Sequence, residues 1–147
     1  MHTTEERTNF MPLKKVTKGF EKEKKEEYAD KTILLVEDNN IGIKALTHLL
    51  NECGVRNIII AKTGQEALEK FSEKISLIFL DNRLPGISGL EVCEKIRAMP
   101  QGKMVPIVMC TVDGTLKDIA KSVGVNEYLE RPIEFRTIQP LIQRWLR

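Results

Sequence analysis

Two places in the chain put acidic side chains directly after strand-sized apolar runs. Glu37 and Asp38 follow Ile33-Leu34-Leu35-Val36, and Asp81 follows Leu77-Ile78-Phe79-Leu80. If both runs are strands of one parallel sheet, three carboxylates from distant positions meet at the same edge. Two carboxylates ~4 Å apart repel by about 4 kcal/mol at an effective dielectric of 20, and a third adds to that. Such a site normally holds a divalent cation or keeps a proton on one member. Hard oxygen donors, with positions left for water and phosphate, suit Mg²⁺ or Mn²⁺. Taken singly, each carboxylate is equally well a loop residue or a helix cap. After Asp81 the sequence Asn82-Arg83-Leu84-Pro85-Gly86-Ile87-Ser88-Gly89 supplies a loop, a Pro-Gly turn and a helix start.

The elements that must position these residues are legible from Lys31 onward. Apolar runs of four to six residues alternate with amphipathic stretches of ten or so, the pattern of repeated βα units around a parallel sheet. The expected strands are Thr32 to Val36, Asn57 to Ala61, Leu77 to Leu80, Val105 to Cys110 and Glu127 to Leu129. The expected helices lie near Ile41 to Cys53, Gly64 to Phe71, Gly89 to Met99, Thr115 to Val123 and Ile133 to Leu146. In the first of these, Ala45, Leu46, Leu49, Leu50 and Cys53 fall on one face, which should cover the sheet, and Gly54 ends the helix. Open sheets of this kind bind their ligands at the carboxyl ends of the strands, beside the point where strand order reverses. That is where the three carboxylates fall.

The chain of 147 residues has room for one domain, here expected over 31–147, behind a charged extension at 1–30 that holds seven Lys/Arg and seven Asp/Glu. Val16, Phe20 and Tyr28 recur at helical spacing in the extension, so it is either a mobile arm or a short docked helix interrupted by Gly19. A net charge of +2 with both signs interleaved argues against a nucleic-acid partner, and no apolar run is long enough for membrane insertion. The first residues lack a secretory signal, so the expected location is cytoplasmic. Cys53, Cys93 and Cys110 are odd in number and widely spaced, which favours buried thiols over disulfides or zinc. His48 sits mid-helix and reads as a surface residue rather than a phosphodonor. Gly64 lacks the Gly-Lys-Ser/Thr of a nucleotide loop, Arg83 stands where an Asp-nucleophile phosphatase needs a second Asp, and Glu37-Asp38-Asn39-Asn40 would repel a flavin phosphate.

Five segments in register resemble response-regulator receiver domains, the CheY-like (flavodoxin-like) family. They are Ile33 to Asn39, Ala61 to Leu68, Leu77 to Gly89, Pro106 to Thr111 and Gly124 to Pro132. The resemblance covers 31–147 and implies a doubly wound α/β fold with a five-stranded parallel sheet of order 2-1-3-4-5 and five helices. It implies that Asp81 is the phosphoacceptor attacking a phosphohistidine. Asp38, Asp81 and the backbone carbonyl of Arg83 would hold Mg²⁺ (or Mn²⁺), with Glu37 acting directly or through water. Thr111 would bind a phosphoryl oxygen, Tyr128 would follow Thr111 as the switch aromatic, and a cis peptide before Pro132 would aim Arg131 inward. The family normally has lysine where this chain has Arg131, and a guanidinium is planar and bulkier. Val112 replaces a smaller residue, which predicts a slow-decaying phosphoform. The expected protein is therefore a stand-alone phosphorelay switch rather than an enzyme. Its donor would be a sensor histidine kinase or histidine phosphotransfer protein. Its output would be a protein contact through helix 4, strand 5 and helix 5, around Lys117, Lys121, Tyr128, Gln139 and Arg144, with Trp145 a core cap or interface anchor. The alternative is a degenerate receiver that acts as a constitutive, non-phosphorylated interaction module.

Overall fold

The computed structural model describes residues 27–146. The sheet is built from β1 (Thr32–Val36), β2 (Asn57–Ala61), β3 (Ile75–Leu80), β4 (Ile107–Thr111) and β5 (Glu127–Glu130), all parallel, in the order β2-β1-β3-β4-β5. Between and after them run α1 (Asn40–Glu52), α2 (Gly64–Lys70), α3 (Gly89–Ala98), α4 (Lys117–Ser122) and α5 (Phe135–Trp145). The chain steps from β1 outward to β2, then crosses back so that β3 lies on the other side of β1. Strand order thus reverses at the β1/β3 junction, where such sheets bind ligands.

The central strands are buried on both faces, which is why β1, β3 and β4 read as unbroken apolar runs rather than as alternation. Successive residues still point to opposite sides. Ile33, Leu35, Leu77, Phe79, Val108 and Cys110 pack with Ile43, Leu46 and Leu50 of α1 and Ile138, Leu141 and Ile142 of α5. Leu34, Val36, Ile78, Leu80, Ile107 and Met109 pack with Ala67 of α2, Val92 and Ile96 of α3 and Ala120 of α4. All three cysteines are buried free thiols, as their spacing indicated. Burial pushes Cys93 up to about 11 and Cys110 up to about 12.

Local chemistry sets the helix starts. The Asn39 side chain accepts from the N–H groups of Ile41 at 2.8 Å and Gly42 at 3.1 Å, capping α1. Ser88 and Glu91 form a reciprocal capping box that begins α3 directly after the Asp81 loop. Gly54 has a φ of 97°, so it ends α1 in the left-handed region.

The structure moves several sequence boundaries. Val105 and Pro106 precede β4 instead of opening it, because the strand's pairing with β3 starts at Ile107. The helix expected at Thr115 is a 3₁₀ turn over Gly114–Leu116 followed by the short α4, and α5 starts at Phe135, three residues past Pro132. On α1 the sheet-facing stripe is Ile43, Leu46 and Leu50 with Cys53 beyond it, while Ala45 is exposed. Tyr28, assigned by sequence to the extension, is 3% exposed and belongs to the core on the α1/α5 side. Val16, Phe20 and the rest of 1–26 lie outside the described residues. No helix among the described residues is long and apolar enough to cross a membrane.

Candidate functional site

The carboxyl ends of β1, β3 and β4 surround an open cleft of about 430 Å³ lined by Glu37, Asp38, Asn39, Gly42, Asp81, Arg83, Thr111, Val112 and Arg131. Each central strand delivers its last residues here. Carboxylate oxygens of Glu37, Asp38 and Asp81 all lie within 4.8 Å of one another. Asp81 is held from both sides of its peptide: its N–H donates to the Val36 carbonyl at 3.0 Å, and Oδ1 accepts from the Arg83 N–H at 3.2 Å. Behind it, a Cβ on Gly89 would sit 2.3 Å from the Asp81 carbonyl oxygen, so only glycine lets α3 start so close to the acidic loop.

Glu37 differs from its two neighbours. It is 3% exposed, and its Oε1 accepts from Nη2 of Arg131 at 2.6 Å. Burial lifts its pKa, Arg131 pulls it back, the nearby Asp81 lifts it again, and the net direction is upward. A Cβ on Gly42 would come within 2.6 Å of that same Oε1, so α1 carries a glycine where the Glu37 carboxylate tucks beneath it. Asp38 is exposed at the cleft mouth.

Thr111 ends β4, is 1% exposed, and accepts from the Asp113 N–H at 3.4 Å. The next carbonyl in this loop, that of Asp113, accepts from the Tyr128 hydroxyl. Thr111 and Tyr128, on neighbouring strands, are thereby joined through one residue. Burial, followed by the charges of Asp113 and Glu130, raises the Tyr128 phenol pKa. The Arg131–Pro132 peptide is cis.

Residues 33–143 match the response regulator receiver domain family, which is most of the chain. The chain is a response regulator receiver domain. It is 33% identical over 119 residues to the hybrid signal transduction protein dokA of Dictyostelium discoideum, matching 80% of this chain and 7% of that protein. To the alkaline phosphatase synthesis transcriptional regulatory protein PhoP of Bacillus subtilis it is 34% identical over 121 residues, covering 80% of this chain and 49% of the relative. The chain thus spans less than half the length of these curated relatives. Among solved structures it is similar to the receiver domain of sensor histidine kinase PA1611 from Pseudomonas aeruginosa PAO1, whose active site cleft coordinates a magnesium ion. That likeness has a TM-score of 0.72 at 30% identity and covers 80% of this chain and 98% of the other.

In this receiver the fold brings together Glu37, Asp38, Asp81, Arg83, Thr111, Val112 and Arg131, every cleft residue singled out from the sequence. Tyr128 and Pro132 are outside the cleft, on the strand and the turn that carry Arg131. Val112 is at the mouth and 60% exposed. Three contributors were not anticipated: Asn39 as the cap of α1, Gly42 as clearance for Glu37, and Asp113 as the link to Tyr128. Gly42 left a signal, since a glycine inside a helix costs about 1 kcal/mol relative to alanine and so implies a close neighbour. His48 is on the surface, with its Nε2 2.5 Å from a carboxylate oxygen of Glu52.

Proposed function

We propose that this receiver accepts a phosphoryl group on Asp81 from a phosphohistidine and signals by changing a protein-binding face. The observation that carries the reading is the convergence of the Asp81 carboxylate, the Asp38 carboxylate, the Thr111 hydroxyl and the Arg131 guanidinium on one open cleft. In the step, an Asp81 carboxylate oxygen forms a bond to phosphorus as the phosphorus–nitrogen bond of the donor breaks, and the imidazole leaves with that electron pair. Phosphoryl transfer asks the protein mainly for a placed nucleophile and for charge balance around the equatorial oxygens. Asp81 supplies the first, while Thr111 and Arg131 supply hydrogen-bond donors for the second. Three carboxylate oxygens within 4.8 Å fit Mg²⁺ or Mn²⁺. Such an ion, when bound, neutralises charge on the nucleophile and the incoming phosphoryl group.

The donor is a sensor histidine kinase or histidine phosphotransfer protein, in keeping with the family. For output, a groove of about 340 Å³ between α4 and β5 is lined by Lys117, Lys121, Val125, Asn126, Glu127 and Tyr128, with Ile119 exposed at 52% nearby. When the Thr111 hydroxyl turns to a phosphoryl oxygen, the Asp113 N–H loses its acceptor, and the loop that anchors Tyr128 beside this groove is released to move. Coupling of this kind amounts to about 1–3 kcal/mol.

The test is intact mass over time after adding acetyl phosphate, with Mg²⁺ and with chelator, on the wild type and Asp81→Ala. One phosphoryl mass that forms only with Mg²⁺ and only with Asp81 present is the expected result. No adduct in any sample, even at the earliest times, would overturn the reading and leave a constitutive interaction module.

A further inference from the structure

Tyr28 precedes residues 33–143, the part of the chain that matches the receiver family, yet it is buried in the core on the α1/α5 side. It sits with Cys53 at the end of α1 and Gln139, Ile142 and Gln143 of α5, and only about 20 Å³ is left open among these residues and Glu27. Two backbone contacts hold the chain at this point. The Ala29 carbonyl accepts from Nδ2 of Asn57 at 2.9 Å, and the Lys31 N–H donates to the Tyr28 carbonyl at 3.0 Å. Residues 1–26 lie outside the described residues, but the place where they join the receiver is fixed. It is the end of the α1/α5 seam away from the cleft, because α1 runs back from the carboxyl ends of the strands.

The rest of that seam is incompletely covered. Helical spacing continues the row of Cys53 back to Leu49 and Ala45, and the row of Gln143 and Gln139 back to Phe135. Leu49 and Phe135 are half-buried at the rim of the core, and Ala45 is exposed. Neither row carries a charge. Each row covers eight residues, about 12 Å of helix. The result is a narrow strip, apolar with amide edges, that starts at the Tyr28 seat.

The sequence immediately upstream carries apolar residues at matching reach. Phe20 and Val16 stand eight and twelve positions before Tyr28. Eight residues span about 12 Å as a helix and about 27 Å fully extended, so Phe20 reaches the far end of the strip in either form. A segment tethered this closely meets its site at an effective concentration of about a millimolar, which a separate partner at micromolar concentration does not match.

We propose that the α1/α5 seam is a docking surface for the chain's own upstream segment, with Tyr28 as its anchor and Phe20 and Val16 closing over Leu49, Ala45 and Phe135. The working unit of this receiver then begins well before its family segment. Its α1/α5 side is occupied, which leaves the cleft and the α4/β5 groove for other proteins. The inference is independent of the phosphoacceptor reading.

The test compares the full chain with its V16S/F20S variant by hydrogen–deuterium exchange, read by NMR at Ala45, Leu49, Gln139 and Gln143, with Ile78 and Val92 as references toward the opposite face. Both substitutions precede the family segment, so the receiver fold is retained, which circular dichroism checks. Exchange at the seam is expected to be about tenfold faster in the variant, with the reference amides unchanged. Rates unchanged at the seam, or raised equally at the reference amides, would overturn the proposal, because Val16 and Phe20 would then protect no particular surface. Sedimentation velocity across a range of concentrations identifies the occupant, and a single chain throughout is expected. Seam protection that grows with concentration, together with the mass of two chains, would put a second copy on the strip and overturn the proposal as well.

Discussion

Replacing Asp81 with asparagine should make this protein more stable when no metal is present, although it removes the proposed phosphoacceptor. Asp81 has two carboxylate neighbours with oxygens within 4.8 Å, and one of them, Glu37, is already paired with Arg131. Glu37 still feels the Asp81 charge but has a cation beside it, so the repulsion counted here is the one against Asp38. At that distance it is about 3.5 kcal/mol at a dielectric of 20 and about 0.9 kcal/mol in bulk water. The cleft is open, so the relief lies between these limits, about 1–2 kcal/mol. For a domain of this size that raises the melting temperature by about 4–8 °C. The assay is thermal denaturation followed by circular dichroism in chelator, repeated across a Mg²⁺ titration. The wild type should regain the difference as metal binds, since a ligand at 100 times its dissociation constant stabilises by about 2.7 kcal/mol. The variant, lacking the proposed Asp81 carboxylate ligand, should respond only at far higher concentration. An Asp81→Asn variant that melts at or below the wild type in chelator, or tracks it through the titration, would refute the electrostatic account of the cleft.

Gly89→Ala should destabilise the fold by about 1–3 kcal/mol, since its Cβ would sit 2.3 Å from the Asp81 carbonyl oxygen, and should slow phosphoryl uptake; denaturant melts and intact mass check both effects. The Asp113 carboxyl is held below its ordinary 3.8 by the Thr115 hydroxyl and N–H. A depressed acid contributes stability above its unfolded value and loses it as pH falls through the folded one, so the loop's share should vanish only in acid below 3.8. Carbon-detected NMR titration should find a midpoint below that value, moving up in Thr115→Val. With Cys93 raised to about 11, Cys110 to about 12 and Cys53 also buried, native protein at neutral pH should resist alkylation, whereas urea-unfolded protein should take three equivalents of iodoacetamide by mass.

The order and direction of the elements were legible because both faces of the sheet are covered, which turns β1, β3 and β4 into solid apolar runs separated by amphipathic stretches. The acidic edge was legible for the same reason: in a parallel sheet every strand ends on the same side, so Glu37, Asp38 and Asp81 had to meet. What sequence does not encode locally is which groups pair across the cleft. That Arg131 takes Glu37, and that Gly42 makes room for it, depends on how α1 and the turn after β5 approach β1, separations of five and 94 positions in the chain. Arg97 makes the same point. Its guanidinium donates to the carbonyls of Gly102, Val105 and Gly124, tying α3 to two later loops, and nothing in the Lys95-Ile96-Arg97 stretch distinguishes it from a solvated charge. Boundaries slipped where a 3₁₀ turn preceded α4, because turn and helix share their composition.

The two faces of the sheet close at different moments as the chain emerges during synthesis. The side under α2, α3 and α4 has its core residues once Val125 has been made. The other side waits for Ile138, Leu141, Ile142 and Leu146, so that Ile33, Leu35 and Phe79 are covered only by α1 until α5 arrives. A chain stalled or cut before α5 therefore carries a finished face and a half-covered one, and the uncovered half is a sticky apolar surface. Its fate then depends on a chaperone or on another such chain, and α5 decides whether this side of the core closes.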